Sequence, residues 1–556
     1  MDNIRVILWA LFASLLYVSY MVWQQDYAPE PVTEIPVDAE AQAVADLPAV
    51  AAPADTAAGG DLPPAATQST PDSAATPALT SNVVNVKTDV LDIDISSKGA
   101  TLVRADLTAY PLNKDNPDVP VRILNSDNGE HYHLRSGLRS AAQPAAAEAT
   151  HLADFVARAD EFVLADGDDE LVIPLIWEQD GIRVEKTYTF KRGFYGIELS
   201  QKVTNNSDAP YPVFPYLQIQ RFYVPQERSM FNVDSYSFDG PVVFDGDSYE
   251  KLDVEDLEEE PLNGNYTNGW IAAIQHHFLS AAVPQGDEPV AYSGVFDGRN
   301  YTVTSSSPIV TVAPGATEEF TSNLFVGPKL QGQLDEVSDG LSLTVDYGIL
   351  ALLAQPLFWL LQQVHKFVGN WGWTIIIVTF LIKLAFYKLT ETSGRSMAKM
   401  RKLQPRLKAL QERYKDDRQA MSAALMDLYK REKVNPAAGC LPMLVQIPFF
   451  IAFYWVLLES VEMRQAPFML WITDLSSRDP YFVLPLLMGG AMFVQQKLNP
   501  APPDPVQAKV MSILPVVFTV FFAFFPAGLV LYWLTNSVLS VLQQWKINKA
   551  LGADDA

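Results

Sequence analysis

Hydrophobic residues follow three different patterns along this chain. A nearly all-apolar run, Ile4 to Trp23, has about the length of 20 residues that spans a bilayer core. Residues 82–340 instead show short stretches in which apolar and polar positions alternate, which is typical of β-strands. Beyond residue 369, long apolar runs return and predict membrane-spanning helices. The pattern therefore predicts an N-terminal span, a β domain and a helical membrane domain, in that order.

The N-terminal run, residues 1–23, is interpreted as an uncleaved anchor rather than a cleaved signal peptide. The residues that follow it, Gln24 to Tyr27, do not form the small-residue cleavage site that a signal peptide needs. The next segment is rich in Ala, Pro, Asp and Thr and contains neither Lys nor Arg. Because such a segment has too little apolar surface to offset the entropy of ordering, residues 24–81 are predicted to be a disordered linker.

Residues 82–340 are predicted to form an all-β sandwich. The strand signal is strongest in VVNVKTDVLDIDIS and in IRVEKTYTFKRGFYGIELSQKVTN, whose halves are joined through Arg192-Gly193 as in a hairpin. Two clusters are candidates for chemistry, His276-His277 and the acidic run Glu258–Glu260. Neighbouring strand positions point to opposite faces, so the two histidines are poorly placed to bind one metal ion together. The acidic run is interpreted as a solvated loop. No catalytic residue and no metal ligand is therefore predicted.

The helical part begins with an amphipathic segment, residues 341–368. Gln355, Gln362 and His365 interrupt its apolar sequence, which favours a helix at the membrane surface, bent near Pro356. A bundle of five spans follows within residues 369–548. The last apolar run is too long for one crossing at about 1.5 Å per residue, so it is divided at Phe525-Pro526-Ala527-Gly528. With the anchor, the α-helical part has six predicted spans: 4–23, Trp371–Tyr387, Ala437–Leu458, Tyr481–Lys497 and the two halves of Lys509–Lys546.

Charge is divided unevenly along the chain and predicts how these elements are oriented. Residues 24–345 hold 50 Asp and Glu against 18 Lys and Arg, a net charge of −32. Residues 393–433 hold 12 Lys and Arg against 5 Asp and Glu. Because short loops rich in Lys and Arg remain in the cytoplasm, this loop and both termini are predicted to be cytoplasmic and the acidic domain to lie outside.

The basic loop, residues 393–433, is predicted to be a helical hairpin, because MAKMRKLQPRLKALQERY and RQAMSAALMDLYKREK both have helical character. It is either a solvated loop that only sets the topology or a docking surface for an anionic partner. A loop that only sets the topology needs positive charges but no amphipathic helices, so the two helices favour a docking role. The candidate docking residues are Arg401, Lys402, Arg406, Lys408 and Arg413.

Lys383 lies inside an apolar run, 12 residues after Trp371. An ionised side chain well inside a span costs on the order of 2.5–3.5 kcal/mol on insertion scales. Either its stem extends to the headgroups, or it faces a polar cavity between helices. Thr379 lies one turn earlier on the same helix face, and Gln446 and Asn536 are polar positions in other spans. Together these residues are candidates for lining a wet cavity that is open to the cytoplasm.

Five long stretches of the sequence carry a resemblance to a known family. They are GNWGWTIIIVTFLIKLAFYKLT, SMAKMRKLQPRLKALQERYKDDRQ, LYKREKVNPAAGCLPMLVQIPFF, RQAPFMLWITDLSSRDPYFVLPLLMG and FPAGLVLYWLTN. They resemble the YidC membrane-protein insertase family, and the similarity covers essentially all of residues 340–548. An N-terminal anchor followed by a large outer domain is similar to the Gram-negative form of the family.

The resemblance implies a fold, a location and a function. It implies a multi-domain protein that crosses the bacterial inner membrane several times, with a periplasmic β-supersandwich. It also implies that the chain inserts and helps to fold inner-membrane proteins, alone or with the Sec translocon, without nucleotide hydrolysis and without a cofactor or metal. The implied partners are nascent membrane proteins, the Sec translocon, the ribosome and the lipid bilayer, and no enzymatic activity is implied.

The resemblance also implies roles for individual residues. The family has a hydrophilic groove, open to the cytoplasm and to lipid, whose one positive charge attracts acidic residues of a substrate. That position is Lys383 here, whereas Gram-negative members usually carry Arg, which has a bidentate fork that Lys lacks. Thr379 and Trp533 match further groove positions. Apolar contacts with the substrate helix are expected from Ile447, Phe450, Phe521 and Phe522.

Two features depart from the family pattern. Lys388 stands where the family often has Pro, which predicts a less bent cytoplasmic end of that helix. The C-terminal segment, residues 549–556, is short and acidic where many relatives carry a basic tail. Contact with the ribosome would then depend on the hairpin at 393–433.

Two other classes of function would require different features of the sequence. A transporter or channel would have inverted repeats or several intramembrane charges, and Lys383 is the one strong case in this sequence. A membrane-anchored periplasmic carbohydrate-binding or carbohydrate-acting protein would have a catalytic carboxylate pair between residues 82 and 330. The sequence suggests no such pair, and this alternative leaves the helical bundle unexplained.

Overall fold

The computed structural model describes residues 82–114, 116–142, 146–225, 237–414, 417–432, 437–498 and 505–550. The predicted anchor and linker, residues 1–81, lie outside the described residues, as do residues 551–556 of the predicted tail. Within the described ranges, all strands lie before residue 330 and the long helices follow it.

Twenty strands lie in the described part of the N-terminal domain. They are β1 (Val83–Lys87), β2 (Leu91–Ser96), β3 (Thr101–Asn113), β4 (Asn116–Leu124), β5 (Tyr132–Ser140), β6 (Val156–Ala157), β7 (Glu161–Val163), β8 (Glu170–Gln179), β9 (Ile182–Lys191), β10 (Gly196–Asn205), β11 (Tyr211–Phe222), β12 (Asp239–Phe244), β13 (Tyr249–Lys251), β14 (Leu262–Tyr266), β15 (Trp270–Gln275), β16 (Phe278–Pro284), β17 (Val290–Phe296), β18 (Asn300–Ser306), β19 (Val310–Val312) and β20 (Thr317–Pro328). The first sheet has the order β14-β17-β18-β11-β5-β3-β2-β1-β7, with β19 on β11 and β4 on β3. The second sheet has the order β13-β12-β15-β16-β20-β10-β9-β8-β6.

The two sheets pack face to face over one hydrophobic core, which confirms the predicted β-sandwich. Alternate residues of β2 and β9 are buried, as the alternating sequence requires. Hydrogen bonds also join the sheets: Tyr132 Oη of β5 donates to the carbonyl of Ala273 in β15 at 3.2 Å. The predicted hairpin is present as β9 and β10, with Phe190 opposite Ile197. Gly193 in its connection has a φ of 69°, the left-handed conformation that glycine adopts most easily.

The two candidate clusters of the β domain have local structures that differ from the predictions. His276 and His277 form the two-residue turn between β15 and β16, and their ring centroids stack 3.7 Å apart. The expectation that they point to opposite faces is wrong, because that alternation holds only inside a strand. The acidic run is exposed as expected, although Glu258 and Glu259 belong to a short helix.

Ten α-helices lie in the described ranges. They are α1 (Asp256–Glu259), α2 (Gln331–Val337), α3 (Ala351–Val368), α4 (Trp371–Ala385), α5 (Tyr387–Arg413), α6 (Arg418–Arg431), α7 (Ala437–Glu459), α8 (Val483–Leu498), α9 (Pro505–Phe522) and α10 (Ala527–Ala550). The long apolar run is divided between α9 and α10 at the Pro-Ala-Gly sequence, as predicted. Helix α10 is central and contacts α4, α5, α7 and α8, whereas α3 packs on α4 and α7.

The helix α3 is shorter than the sequence predicted. It begins at Ala351, and 3₁₀ turns occupy Leu341–Thr344 and Gly348–Leu350 instead of a helix from residue 341. One face buries Ala354, Leu357, Phe358 and Leu361. The other face exposes large apolar residues, with Leu352 at 86% and Phe367 at 90% of their surface. The helix thus carries apolar side chains on both its packed and its exposed face. Its position at the membrane surface stays a prediction.

A sharp bend separates α4 from α5. The two segments Trp371–Ala385 and Tyr387–Ser396 meet at an angle of 65°. That Lys388 makes this end less bent than in relatives with Pro stays a prediction. The break lies at Phe386, before Lys388, where φ is −89° and ψ is 9°. Taken together, the two bent segments have the length and hydropathy of a membrane span. No single helix in the described ranges has both.

Candidate functional site

A small cavity with a mixed polar and apolar wall lies between α4, α5, α7 and α10. Its volume is about 30 Å³, which is room for about two water molecules. Four of the sequence candidates line it together: Lys383, Thr379, Gln446 and Asn536. The remaining lining residues are Ile382, Phe386, Leu389, Thr390, Val445, Phe449 and Tyr532. The structure thus brings together polar side chains that are up to 157 positions apart along the chain.

A chain of hydrogen bonds fixes the ammonium group of Lys383 in this cavity. Lys383 Nζ donates to Ser540 Oγ at 2.8 Å and to Gln446 Oε1 at 3.5 Å. Gln446 Nε2 donates to Asn536 Oδ1 at 2.6 Å, and the Ser540 hydroxyl donates to the Asn536 carbonyl at 2.8 Å. The groups that hold the Lys383 charge come from α7 and α10, and all of them are neutral. Among the described residues, no Asp or Glu forms an ion pair with Lys383.

Helical spacing explains why these positions meet. On α10, Tyr532, Asn536 and Ser540 follow one another at intervals of four residues and so share one face. On α4, Thr379 lies four residues before Lys383, is 2% exposed and donates its hydroxyl to the Ile375 carbonyl at 2.6 Å. The hydroxyl is therefore satisfied by the backbone of its own helix and gives the cavity a small, neutral wall.

The other end of the bundle is closely packed. Asn370 caps α4 by accepting a hydrogen bond from Trp373 N, and its Nδ2 donates to the carbonyls of Pro467 and Phe468. A Cβ atom on Gly372 would lie 2.0 Å from the Phe468 ring. The segment that follows α7 therefore covers the N-terminal end of α4, whereas the cavity lies near its C-terminal end, beside α5.

Trp533 and the apolar candidates form a wall next to the cavity. Trp533 does not line the cavity: its ring packs 4.5 Å from Phe450 and 4.9 Å from Phe522, measured between centroids. Ile447 and Phe521 are 46% and 54% exposed, so their side chains are open to lipid or to another helix. Phe522 is 4% exposed and supports Trp533 from within the bundle.

The basic helices α5 and α6 pack through a small core of their own. Leu403 and Leu407 are buried there, with Met400, Leu425, Leu428 and Tyr429 around them. Of the five candidate docking residues, Arg406 forms an ion pair with Glu432 at 2.6 Å, and Lys402 and Arg413 are exposed. The side chains of Arg401 and Lys408 lie outside the described part of the structure.

Sequence reasoning missed Ser540, the hydrogen-bond partner of Lys383, and Tyr532, a residue of the cavity wall. Ser540 makes the shorter hydrogen bond to Lys383, and Tyr532 contributes to the lining. Both could have been found from the interval of four residues on either side of Asn536.

Comparison with known proteins gives a consistent result over the whole chain. The model of the YidC periplasmic domain matches residues 83–360, and that of the 60Kd inner membrane protein family matches residues 363–554. Two relatives, both named membrane protein insertase YidC, come from Thioalkalivibrio sulfidiphilus (strain HL-EbGR7) and Pseudomonas putida (strain W619). The first is 49% identical, over 99% of this chain and 98% of the relative, and the second is 43% identical, over 100% and 99%.

One solved structure is titled an active YidC insertase with the first transmembrane domain resolved. It is 17% identical and covers 84% of this chain and 92% of that chain, with a TM-score of 0.37.

The two family-model matches make the chain a two-domain inner-membrane protein, in which a periplasmic β-sandwich precedes a helical bundle. Within that class, this chain belongs to the YidC family of membrane protein insertases. The function of the family is to insert membrane proteins, and it is not an enzyme family.

Proposed function

We propose that this chain inserts membrane proteins through the polar cavity beside Lys383, used as a groove. The observation that carries the proposal is the ammonium group of Lys383, held by Ser540 and Gln446 and without an ion pair to a carboxylate among the described residues. A positive charge held by neutral partners in a low-dielectric bundle attracts an incoming acidic side chain more strongly than it would in water.

The mechanism is a shortened hydrophobic barrier. An acidic side chain of the substrate that enters the cavity exchanges part of its hydration for hydroxyl, amide and ammonium groups, so less of its path crosses hydrocarbon. Exposed Ile447 and Phe521 then offer an apolar surface to the substrate helix. Its transfer into lipid is driven by the hydrophobic effect, and no covalent step is required. Lys383 supplies a point charge where Arg would supply a planar fork.

A membrane topology of six spans fits this mechanism. The basic segment 393–433 is cytoplasmic in this proposal, and both termini lie on the same side. The cavity then opens near the cytoplasm, because Lys383 lies next to α5. The close contact of Gly372 with Phe468 supports a closed periplasmic end. The many exposed apolar side chains of α8, α9 and α10 support contact with lipid.

The partners proposed for the chain follow from its surfaces. Nascent membrane proteins would contact the groove, and the ribosome would dock on the basic hairpin formed by α5 and α6. The exposed side chains of Arg406, Lys402 and Arg413 support an anionic partner there. The Sec translocon is proposed as a partner from the family resemblance.

Depletion of the protein tests the proposed function. A small phage-coat-like substrate is synthesised in cells after depletion, and its translocated segment is probed with external protease. We expect the segment to stay protected, and protection to disappear when the chain is supplied again. Normal insertion in depleted cells would contradict the proposal.

A further inference from the structure

The tip loop, residues 466–475, lies between α7 and α8 and exposes apolar side chains at one end of the helical bundle. Residues 466–473 read APFMLWIT and contain no charged side chain. Met469 is 45% and Leu470 76% exposed. Exposed loops are usually rich in small polar and charged residues, because these remain hydrated. The tip loop therefore differs from a loop that faces water.

Backbone hydrogen bonds close the tip loop into a compact hairpin. Leu475 N donates to the carbonyl of Ala466 at 2.9 Å, and Phe468 N donates to the carbonyl of Ile472 at 2.9 Å. Ile472 N in turn donates to the carbonyl of Met469 at 3.1 Å. Ala466, Ile472 and Leu475 are all less than 10% exposed, with values of 8%, 4% and 2%. The hairpin thus has a buried base and an exposed apolar tip.

The N-terminus of α4 holds one side of the tip loop. Asn370 Nδ2 donates to the carbonyls of Pro467 at 3.1 Å and Phe468 at 3.0 Å. The Phe468 ring lies 5.6 Å from the ring of Trp373, measured between centroids. Trp373 is followed by TIIIVTFLI, the apolar sequence of α4. Because Trp is enriched at membrane–water interfaces, this contact places the loop level with the start of an apolar helix.

The ends of α8 and α10 hold the other side of the tip loop. Trp471 Nε1 donates to Asp479 Oδ1 at 3.0 Å, and Asp479 also accepts from Leu484 N in the first turn of α8 at 2.7 Å. Gly528 N, near the start of α10, donates to the carbonyl of Leu475 at 2.8 Å. Three helices therefore fix the loop, and its apolar tip cannot turn inward without loss of these hydrogen bonds.

The backbone at Leu470 is strained. Its φ is 54°, in the left-handed region, where the Cβ of an L-residue crowds the following carbonyl oxygen. Gly or Asn adopts this conformation at a lower cost. In water, a leucine here would be unfavourable twice, by its backbone and by its exposed apolar surface. An apolar environment around the side chain removes the second cost and explains why a leucine is present.

We propose that the tip loop inserts Met469 and Leu470 into the periplasmic leaflet of the lipid bilayer, beside the N-terminus of α4. Lipid is the partner because the chain is an inner-membrane protein and the loop borders the start of an apolar helix. The two side chains also offer no charge by which a protein partner would be selected. The choice of the periplasmic leaflet rests on the proposed topology, whereas the contact with lipid is measured independently of insertion activity.

Spin-label accessibility in the full chain tests the proposal. Cys440, the one cysteine of the sequence, is replaced by Ser, and a nitroxide is attached to Leu470→Cys. The matched controls are Leu487→Cys, on α8 and 54% exposed, and Val295→Cys, on β17 and 46% exposed. The protein is placed in nanodiscs of phosphatidylethanolamine and phosphatidylglycerol. Collision rates are then measured with oxygen, which concentrates in lipid, and with a water-soluble nickel chelate.

The ratio of oxygen to nickel accessibility at position 470 should exceed that at 295 by about threefold or more and approach that at 487. A ratio at 470 equal to that at 295, with 487 in lipid, places the loop in water and overturns the proposal. Low accessibility to both reagents at 470 indicates a protein contact and also overturns it. Water-like ratios at both 470 and 487 would contradict the proposed topology as well, which separates the two failures.

A second variant tests the loop without a label. Leu470→Asn relieves the backbone strain and removes the apolar side chain. We expect it to lower the unfolding temperature in the same nanodiscs by about 2–4 °C, because the lost contact with lipid outweighs the relieved strain. Asp180→Asn, at a φ of 52° in the exposed turn between β8 and β9, is the matched control and should leave this temperature unchanged. An unchanged or higher unfolding temperature for Leu470→Asn would contradict insertion into lipid.

Discussion

Replacing Lys383 by Glu reverses the charge at the centre of the proposed groove. Two unit charges about 6 Å apart interact by about 3 kcal/mol at an effective dielectric constant of about 20. Exchanging attraction for repulsion therefore changes the free energy of an acidic substrate in the groove by up to about 6 kcal/mol. A quarter of this amount is enough for a tenfold change in rate, which needs about 1.4 kcal/mol. The Ser540 hydroxyl, 2.8 Å from Nζ in the native protein, can turn to donate to the new carboxylate, so the fold should tolerate the change.

The assay compares two substrates in cells depleted of the native protein. One substrate carries acidic residues in its translocated segment, and the other has neutral residues at the same positions. With Lys383→Glu, we expect insertion of the acidic substrate to slow at least tenfold and insertion of the neutral one to change less than about twofold. Lys383→Arg keeps the charge and should support both substrates. Normal insertion of the acidic substrate by Lys383→Glu, or equal slowing of both substrates, would refute charge attraction.

Four further predictions concern other parts of the structure. Ser540→Ala removes a hydrogen bond to the ammonium group and should slow insertion of acidic substrates about two- to tenfold, while Ser540→Thr should not slow it. Equal insertion rates for Ser540→Ala and the native protein would be inconsistent with a positioning role for Ser540. Gly372→Ala places a Cβ against a packed ring and should destabilise the chain by about 1–3 kcal/mol in thermal unfolding, unlike the open position Gly490→Ala. Leu407→Ala should cost about 2–4 kcal/mol locally and speed amide exchange in α6, whereas the exposed Met426→Ala should not. Arg104→Gln should cost about 2 kcal/mol in the free energy of unfolding at pH 7, and a difference that stays constant down to pH 2 would contradict its charge-based origin.

The pH dependence of the Arg104→Gln effect follows from the pKa of Asp94. Burial opposes its ionisation, but hydrogen bonds from Arg104 and Asn85 outweigh burial and lower its pKa in the folded protein. The resulting stabilisation is complete above the ordinary Asp pKa of about 4 and is lost as the pH falls through the lowered folded-state pKa. The native protein and Arg104→Gln should therefore converge in stability at low pH.

The sequence predicted most of the architecture because the signals are periodic. Alternation located strands such as β2 and β9, and the Pro-Ala-Gly sequence located the break before α10. Alternation also marks Lys186 of β9 as an inward-facing position, yet the sequence does not name the acceptors of its ammonium group. These are the carbonyls of Gly99, in the turn between β2 and β3, and of Ser136 in β5.

The features that the sequence did not predict depend on tertiary context. The bend at Phe386 does not require Pro, so its position could not be inferred from Lys388. Ser540 is an ordinary helical serine until α4 brings Lys383 beside it. Likewise, the sequence pattern treats His276 and His277 as strand positions, whereas the structure places them in the turn between β15 and β16.

Site-specific photo-crosslinking to a stalled nascent membrane protein tests the central claim most directly. The photoreactive residue replaces Thr379, Ile447 or Phe521 in separate full-length chains, with Leu487, an exposed position on α8, as the control. The account predicts that Thr379 crosslinks to the polar translocated segment and that Ile447 and Phe521 crosslink to the substrate helix. Crosslinks at Leu487 as strong as those at the three groove positions, or none from those positions, would contradict insertion through the groove.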